Sequence, residues 1–386
     1  MAQPVIVSAA RTAIGTARKG TLAQTPAEDL ATAILLETVR RSGVDPERVD
    51  DVIFAESLYG GGDLARYAAV VAGMTEVPGL AVNRHCTGSL SSIGLAAAGV
   101  ASGMEKVVVA GGVQASSLSP RLTRRVPVTV DRVEPWYPGT HPNTAEAPNT
   151  DMSITVGWNT AQEFGLSRED MDAWALRSHQ RAVAAIDAGK FVDEIVPIKV
   201  ATLDGSVVEF AVDEHPRRDT SAERLASLKV LHPEIEGFSI TAGNASGTND
   251  AAAAVTVAGA DSGLEALATV RAWVSVGVDP KRTGAGALSA ISKVLDRAGL
   301  STGDVALWEI NEAFASVPVA ACKHFDLDEE RVNFSGSGCS LGHPIAASGA
   351  RMVTTLVHEL RRTGGGIGVA AMCAGGGQGG ALVIEV

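Results

Sequence analysis

Four cysteines occur in 386 residues, and one of them stands at an elbow. In "NRHCTGSLSSIGLAAAGVASG", Asn83 to Gly103, Cys86 follows the strand-like run "GLAV" and precedes a helix of small residues. A thiol at a helix N-terminus meets unpaired N–H groups and the positive end of the dipole, both of which favour the thiolate. Three further stretches place polar groups at strand ends: "NEAFAS" with Asn311, "GHP" with His343 and "CAGGGQGG" with Cys373. Open α/β sheets gather their ligand-binding groups at the carboxyl ends of strands. Each stretch alone has a plainer reading: a His-Pro turn, an Asn helix cap, a Gly-rich turn. The Gly-rich run lacks the Lys-Ser/Thr ending of a phosphate loop, which excludes a nucleoside triphosphate site of that kind. Cys322, inside "VPVAACKHF", reads as core. Strand alternation turns His85 away from Cys86 and gives it a structural role.

The elements that must position these groups are legible as alternation. "PVIVSAA", "VDDVIFAE", "LAVNRHC" and "EKVVVAGGV" read as buried strands, separated by helices in "PAEDLATAILLETVRRSG", "ARYAAVVAG" and "GSLSSIGLAAAGVASG". The last 119 residues repeat the order with "TVRAWVSVGVD", "ALSAISKVLDRAG", "DVALWEI", "VPVAACKHF", "RVNFS", "ASGARMVTTLVHELRRTG", "GIGVAAMCAGG" and "GALVIEV". Each half has a "VN" strand, a Gly-rich turn, a helix and an apolar strand ending in Gly-Gly, the mark of an internal duplication. The chain is therefore α/β with a mostly parallel or mixed sheet. Residues 118–246 break the pattern and hold one strong helix, "SREDMDAWALRSHQRAVAAIDAG", with a capping box from Ser167 to Asp170 and a stop at Gly189.

Composition bounds the function. Apolar residues reach 46% and charged residues 20%, enough for a large core, and a net charge of −12 excludes a nucleic-acid protein. Two local basic clusters, "PRLTRRVPVTVDR" and "HPRRD", are left to meet an anionic ligand. No run spans a bilayer, no signal peptide opens the chain, and the cysteine spacing fits neither a disulfide framework nor zinc. The expectation is a reduced, cytoplasmic protein with no metal, no nucleic-acid partner and no membrane contact.

Taken together, "PVIVSAARTAIG", "NRHCTGS", "ITAGNASGTNDAAAA", "VGVDP", "EINEAFAS", "LGHPIAASGAR" and "CAGGGQGGALVIE" resemble the thiolase family over essentially the whole chain. That resemblance implies a thiolase-like fold of two βαβαβαββ halves packed face to face, with an inserted loop domain over the coenzyme A (CoA). The boundaries it suggests are 1–117 with 247–267 for the first half, 118–246 for the loop domain and 268–386 for the second half. It implies Cys86 as the acyl-carrying nucleophile, His343 as its base and Cys373 as the acid that protonates the departing acetyl-CoA enolate. Asn311 would position a water at one oxyanion, and the backbone N–H groups of Cys86 and Gly375 would hold the other, with bulk excluded from the "GGG" run so that the backbone reaches the thioester. Ser246 would lie beside the pantetheine arm, Arg217 near the nucleotide end, and Met152 in the acyl pocket. CoA and acyl-CoA are substrates, with no tightly bound cofactor, and a homodimer or homotetramer is the expected assembly.

Some positions depart from the resemblance. "CTGS" exchanges two small residues that many relatives have as Ser-Gly after the nucleophile. Asp151 stands where members acting on acetoacetyl-CoA have histidine, and an anion beside the acyl pocket favours degradative 3-ketoacyl-CoA thiolysis in β-oxidation over acetoacetyl-CoA synthesis. Ser335 replaces an asparagine, and Cys339 replaces a branched apolar residue as small-residue packing. Two readings from other classes compete. A binding-only relative is disfavoured by the intact Cys86, His343, Asn311 and Cys373. A decarboxylating ketoacyl synthase is disfavoured by the cysteine of "CAGGG".

Overall fold

The apolar runs of the first half form strands that hydrogen-bond out of chain order. In the computed structural model, which describes residues 2–59 and 61–386, they begin with β1 (Pro4–Thr12), α1 (Ala27–Ser42), β2 (Asp51–Glu56) and α2 (Leu64–Val71). β3 (Gly79–Val82), α3 (Gly88–Ser102) and β4 (Val107–Ala115) follow. After an insertion containing α4 (Arg168–Asp187), β5 (Asn249–Gly259) returns to the sheet. The second half runs β6 (Ala268–Gly277), α5 (Ala285–Ala298), β7 (Val305–Ile310), α6 (Ser316–Phe325), α7 (Ser348–Thr363), β8 (Ile367–Ala374) and β9 (Gln378–Glu385).

First-half strands are ordered β1-β5-β4-β2-β3, with two antiparallel pairs and then two parallel ones. The second half is ordered β6-β9-β8-β7, with two antiparallel pairs and one parallel pair. Four strands of the two orders match one for one, as a duplication requires, and β3 alone has no strand counterpart in the second half. The expected strand "RVNFS" shrinks to one parallel bridge, Trp308 to Val332. Asn333 explains why: it adopts φ +52°, and its side-chain amide takes over the pairing, accepting from Ile310 N and donating to Ile310 O at 2.8 Å each. The halves also join edge to edge, through Val5–Thr269 and Ile6–Ala268.

Three hydrophobic layers result. One lies under α1 and α2 and one under α5 and α6. In the third, α3 and α7 bury Leu90, Ile93, Val353 and Leu356 against Ile6 and Val255 of one half of the sheet and Met372 and Leu382 of the other. A helix covered on nearly all sides must be small or apolar all round. α3 meets this with Gly94, where a Cβ would lie 2.1 Å from the Trp273 ring.

α4 begins with the Ser167–Asp170 capping box, both bonds formed, and ends before Gly189 at φ +67°. Its first turns place Met171 and Trp174 in the second-half core, and its last turns place Ala182 and Ala185 in the first-half core. The insertion is thus bolted to both halves. Arg11 of β1 adds buried ion pairs to Glu194 (2.6 Å) and Asp213 (2.8 Å) from the same insertion.

Candidate active site

Cys86 lies in a short 3-10 turn, His85–Thr87, that runs directly into α3. Because β3 has already ended at Val82, strand alternation does not govern His85. His85 instead takes φ +47° and lines the same cavity as Cys86, which corrects its assignment as purely structural. The cavity holds about 170 Å³, and its walls include Leu58, Tyr137, Met152, Ile345 and Gly375. At Gly375 an added Cβ would meet nothing nearer than the His85 ring at 3.8 Å. The strict need for glycine falls on its neighbours: Gly376 and Gly377 have φ +84° and +71°, and a Cβ on Gly377 would strike Val278 O at 2.3 Å.

His343 occupies the corresponding place in the second half, just before α7. The N-termini of α3 and α7 cross in close contact. A Cβ on Gly349 would lie 2.7 Å from Leu90 N, and Ala350 N donates to Ser89 Oγ at 2.9 Å. His343 Nδ1 lies 2.6 Å from Ser348 Oγ, which in turn lies 3.1 Å from Pro344 O. With the single hydroxyl hydrogen given to that carbonyl, Ser348 accepts from Nδ1–H and leaves Nε2 with its lone pair free. Asn311 Nδ2 sits 3.4 and 3.5 Å from the two ring nitrogens, while its buried Oδ1 has no protein partner.

Burial sets the protonation states. It pushes the Cys86 thiol up to about 11, against hydrogen bonds from the N–H groups of Gly375 and of Cys86 itself. The helix end alone therefore does not yield a resting thiolate. Burial, reinforced by the Arg351 guanidinium, brings His343 down to about 3 and keeps the imidazole neutral. Cys373, at the end of β8, is raised first by burial and then by the neighbouring charge of Cys86. At rest Cys86 and Cys373 are thus thiols, and the His343 and His85 imidazoles are neutral.

A groove of about 710 Å³ runs along the insertion and is lined by Ser246 and Arg217. The "TAGNASGT" segment is stitched to the loops of the second half that carry Asn311 and His343. Ser246 N donates to Ala313 O at 2.9 Å, and Thr248 bridges His343. Arg217 is exposed on the rim, its backbone N donating to His179 Nδ1 at 3.1 Å. Of the two basic clusters, only "HPRRD" reaches this groove. "PRLTRRVPVTVDR" forms an exposed hairpin, with Arg124 paired to Glu134 at 2.9 Å. Met152 lines the Cys86 cavity.

Asp151 does not line that cavity. It accepts from Ser153 N (3.0 Å) and Ser153 Oγ (2.6 Å), and pairs with His232 Nε2 at 2.8 Å. The supposed anion beside the acyl pocket faces the insertion, so it says nothing about the direction of the reaction. Cys322 lies in the second-half core as expected, and Cys339 lines the groove, with its N bonded to Glu312 Oε2 at 3.0 Å.

The family "Thiolase, N-terminal domain" matches residues 4–261, and "Thiolase, C-terminal domain" matches residues 264–386. The chain belongs to the thiolase family. It is 40% identical to an acetyl-CoA acetyltransferase of Pseudomonas aeruginosa, over 100% of this chain and 99% of that protein. It is 37% identical to a 3-ketoacyl-CoA thiolase of Bacillus subtilis, over the whole of both chains. Its structure matches that of a Bacillus anthracis acetyl-CoA acetyltransferase with a TM-score of 0.91 at 39% identity, covering 100% and 99% of the two chains. The human mitochondrial 3-ketoacyl-CoA thiolase matches with a TM-score of 0.90 at 35% identity, covering 100% and 98%.

In this thiolase, several site residues escape sequence reasoning. Ser348 reaches His343 across five residues of irregular chain, a spacing with no periodic signature. Glu312, read only as part of "NEAFAS", is buried and accepts from Trp174, Ser178, Asn333 and Cys339 at 2.6–3.0 Å. Arg18, Lys19 and Arg224 also line the groove, where only folding brings them beside Arg217.

Proposed function

We propose that this thiolase is a CoA-dependent acyltransferase that reversibly cleaves 3-ketoacyl-CoA to acetyl-CoA and a shortened acyl-CoA. Cys86 gives its proton to His343 Nε2 and attacks the ketone carbon. The C2–C3 bond breaks, its electron pair becomes the acetyl-CoA enolate, and Cys373 supplies the proton that the enolate gains. The acyl group remains on Cys86 as a thioester until the thiol of a second CoA collects it. Asn311 Oδ1, buried and unpartnered, is the acceptor for a water that joins His343 at one oxyanion. The N–H groups of Gly375 and Cys86, which favour the Cys86 thiolate, serve the other. Residues 118–246 act as the loop domain that carries CoA, with Ser246 at the pantetheine arm and Arg217, assisted by Lys19, toward the phosphates.

The observation that supports this reading most is the cavity that Cys86 and Gly375 line together, at the start of α3 where it crosses the start of α7. Acyl groups larger than acetyl are the favoured substrates because the Cys86 cavity, at about 170 Å³, has room for them. That room supports thiolysis of longer 3-ketoacyl-CoAs over acetoacetyl-CoA synthesis. The chain would work in the cytoplasm: among the described residues no helix is long and apolar enough to cross a membrane, and all four cysteines are unpaired. The free edge of β3, with Leu80, Tyr67 and Val71 exposed nearby, supports pairing with a second copy.

The test is CoA-dependent thiolysis of 3-ketoacyl-CoAs from acetoacetyl upward, with Cys86→Ala as the blank. Turnover by the native protein alone, with kcat/KM rising beyond acetoacetyl-CoA, is the expected result. A preference for acetoacetyl-CoA would make acetoacetyl-CoA synthesis the better reading. Turnover by the blank would remove Cys86 from its role.

A further inference from the structure

Both halves of this duplicated fold end their second strand at the site. The residue that follows β7 is Asn311, and the residue that follows β2, in the same structural place, is Ser57. Asn311 faces His343, whereas Ser57 lines the cavity that contains Cys86. Ser57 is 4% exposed, and its Oγ is buried with no hydrogen-bond partner. A buried hydroxyl left without a partner is costly and calls for one. Asn149 on the same wall is already engaged, its Oδ1 accepting from Thr140 N at 2.8 Å and its Nδ2 donating to His141 O at 2.8 Å. Of the hydroxyls lining the cavity, Ser57 Oγ is the one both buried and unpartnered among the described residues.

We propose, resting on the thiolase reading above, that Ser57 is a specificity-determining residue that hydrogen-bonds a neutral oxygen, ketone or hydroxyl, on the acyl group transferred to Cys86. The class follows from the walls. No lysine or arginine is among the described residues lining this cavity, so a carboxylate there would be buried without a counter-charge. The His85 ring on the same wall is held neutral by burial and offers none. The size follows from the volume. About 170 Å³ is close to the roughly 150 Å³ of an engineered cavity that takes benzene, which sets the acyl group at about six heavy atoms. A site with an unpaired buried hydroxyl discriminates against the isostere that cannot satisfy it.

The experiment compares kcat/KM for 3-ketoheptanoyl-CoA with that for its analogue bearing a second ketone on the penultimate carbon, in the native enzyme and in Ser57→Ala and Ser57→Thr. The native enzyme prefers the diketone by about tenfold or more, the effect of one satisfied buried hydrogen bond. Ser57→Ala brings the ratio to about threefold or below, and Ser57→Thr, which keeps the hydroxyl, retains the preference. Because each ratio is taken within one protein preparation, a lower yield of folded variant leaves it unchanged. A native ratio near one, or one favouring 3-ketoheptanoyl-CoA, overturns the inference, as does a native preference that survives in Ser57→Ala. Acetoacetyl-CoA, run alongside with the native enzyme, separates the two levels. Its cleavage with no diketone preference sinks this inference alone, and the absence of any cleavage sinks the thiolase chemistry.

Discussion

A thiol raised by burial to about 11 and an imidazole lowered to about 3 are a poor acid–base pair in isolation. The hydrogen bonds around them decide whether the proton moves. Ser348 holds Nδ1 and so presents Nε2 as the acceptor. Removing that hydroxyl frees the ring to adopt the other tautomer, and about 1–1.5 kcal/mol of positioning is lost. Ser348→Ala is therefore expected to lower kcat about tenfold with KM nearly constant, as steady-state kinetics will register. A change in KM alone would deny Ser348 this role. Cys373 is argued separately, since it acts after C–C bond polarisation and Cys86 acts before. Cys373→Ala should lose about two to four orders of magnitude in thiolysis yet still exchange acyl groups between Cys86 and labelled CoA. Full thiolysis by that variant would take the proton-transfer role away from Cys373.

Between the elements, the site is a meeting of two helix starts. Cys86 precedes α3 and His343 precedes α7, and the helices touch at Gly349, where a Cβ would fall 2.7 Å from Leu90 N and 2.8 Å from Leu90 Cγ. Backbone cannot yield as a flexible side chain can, so Gly349→Ala must push the helix starts apart. Misplacement by about 1 Å can cost a hundredfold in rate. The expected outcome is a loss of kcat of about that size, with far-UV circular dichroism retained and only a modest drop in Tm. Unaltered kcat would show that the helix contact does not set the geometry. Much of this arrangement was legible in the sequence, because alternating apolar runs and helices repeat in the two halves and the repeat places Cys86 and His343 at matching elbows. What was not legible has physical reasons. The "RVNFS" strand dissolves because the Asn333 side chain stands in for the ladder, and His85 turns into the cavity because φ +47° replaces a strand conformation. Asp151 finds His232, 81 residues away, through an insertion whose course no periodicity announces.

Across the whole molecule, neutral buried histidines tie stability to pH. His343 is brought down to about 3 by burial and Arg351. His179 and His215 are each brought down to about 4, chiefly by burial and with Arg217 contributing to both. In the unfolded chain a histidine titrates near about 6.5. Above that value all three are neutral in both states, and their contribution is fully present. As pH falls from there toward the folded values, the unfolded chain binds protons that the folded one refuses, so stability declines. Glu309 pulls the other way. Burial raises it to about 7 despite its 2.9 Å pair with Arg351, so in the folded state it keeps a proton that the unfolded chain has released. His232 is raised, first by Glu234 and also by Asp151, and adds stability that is lost only on the alkaline side as pH rises through its folded value. Asp51, Glu56, Glu105 and Asp250 are raised by burial too and act in the same sense as Glu309. Glu37, lowered to about 2 chiefly by its bond to Arg40, acts with the histidines. The three strongly depressed histidines set the sign, a net acid-side loss. Thermal unfolding should accordingly show Tm rising from about pH 4.5 to about 6.5. His179→Asn combined with His215→Asn should flatten that rise by more than half, since it removes two of its three histidine sources and leaves Glu309 in place. A Tm that is level or falling across this window in the native protein would mean that these imidazoles are solvated and charged in the folded state, and the neutral base assigned to His343 would fall with them.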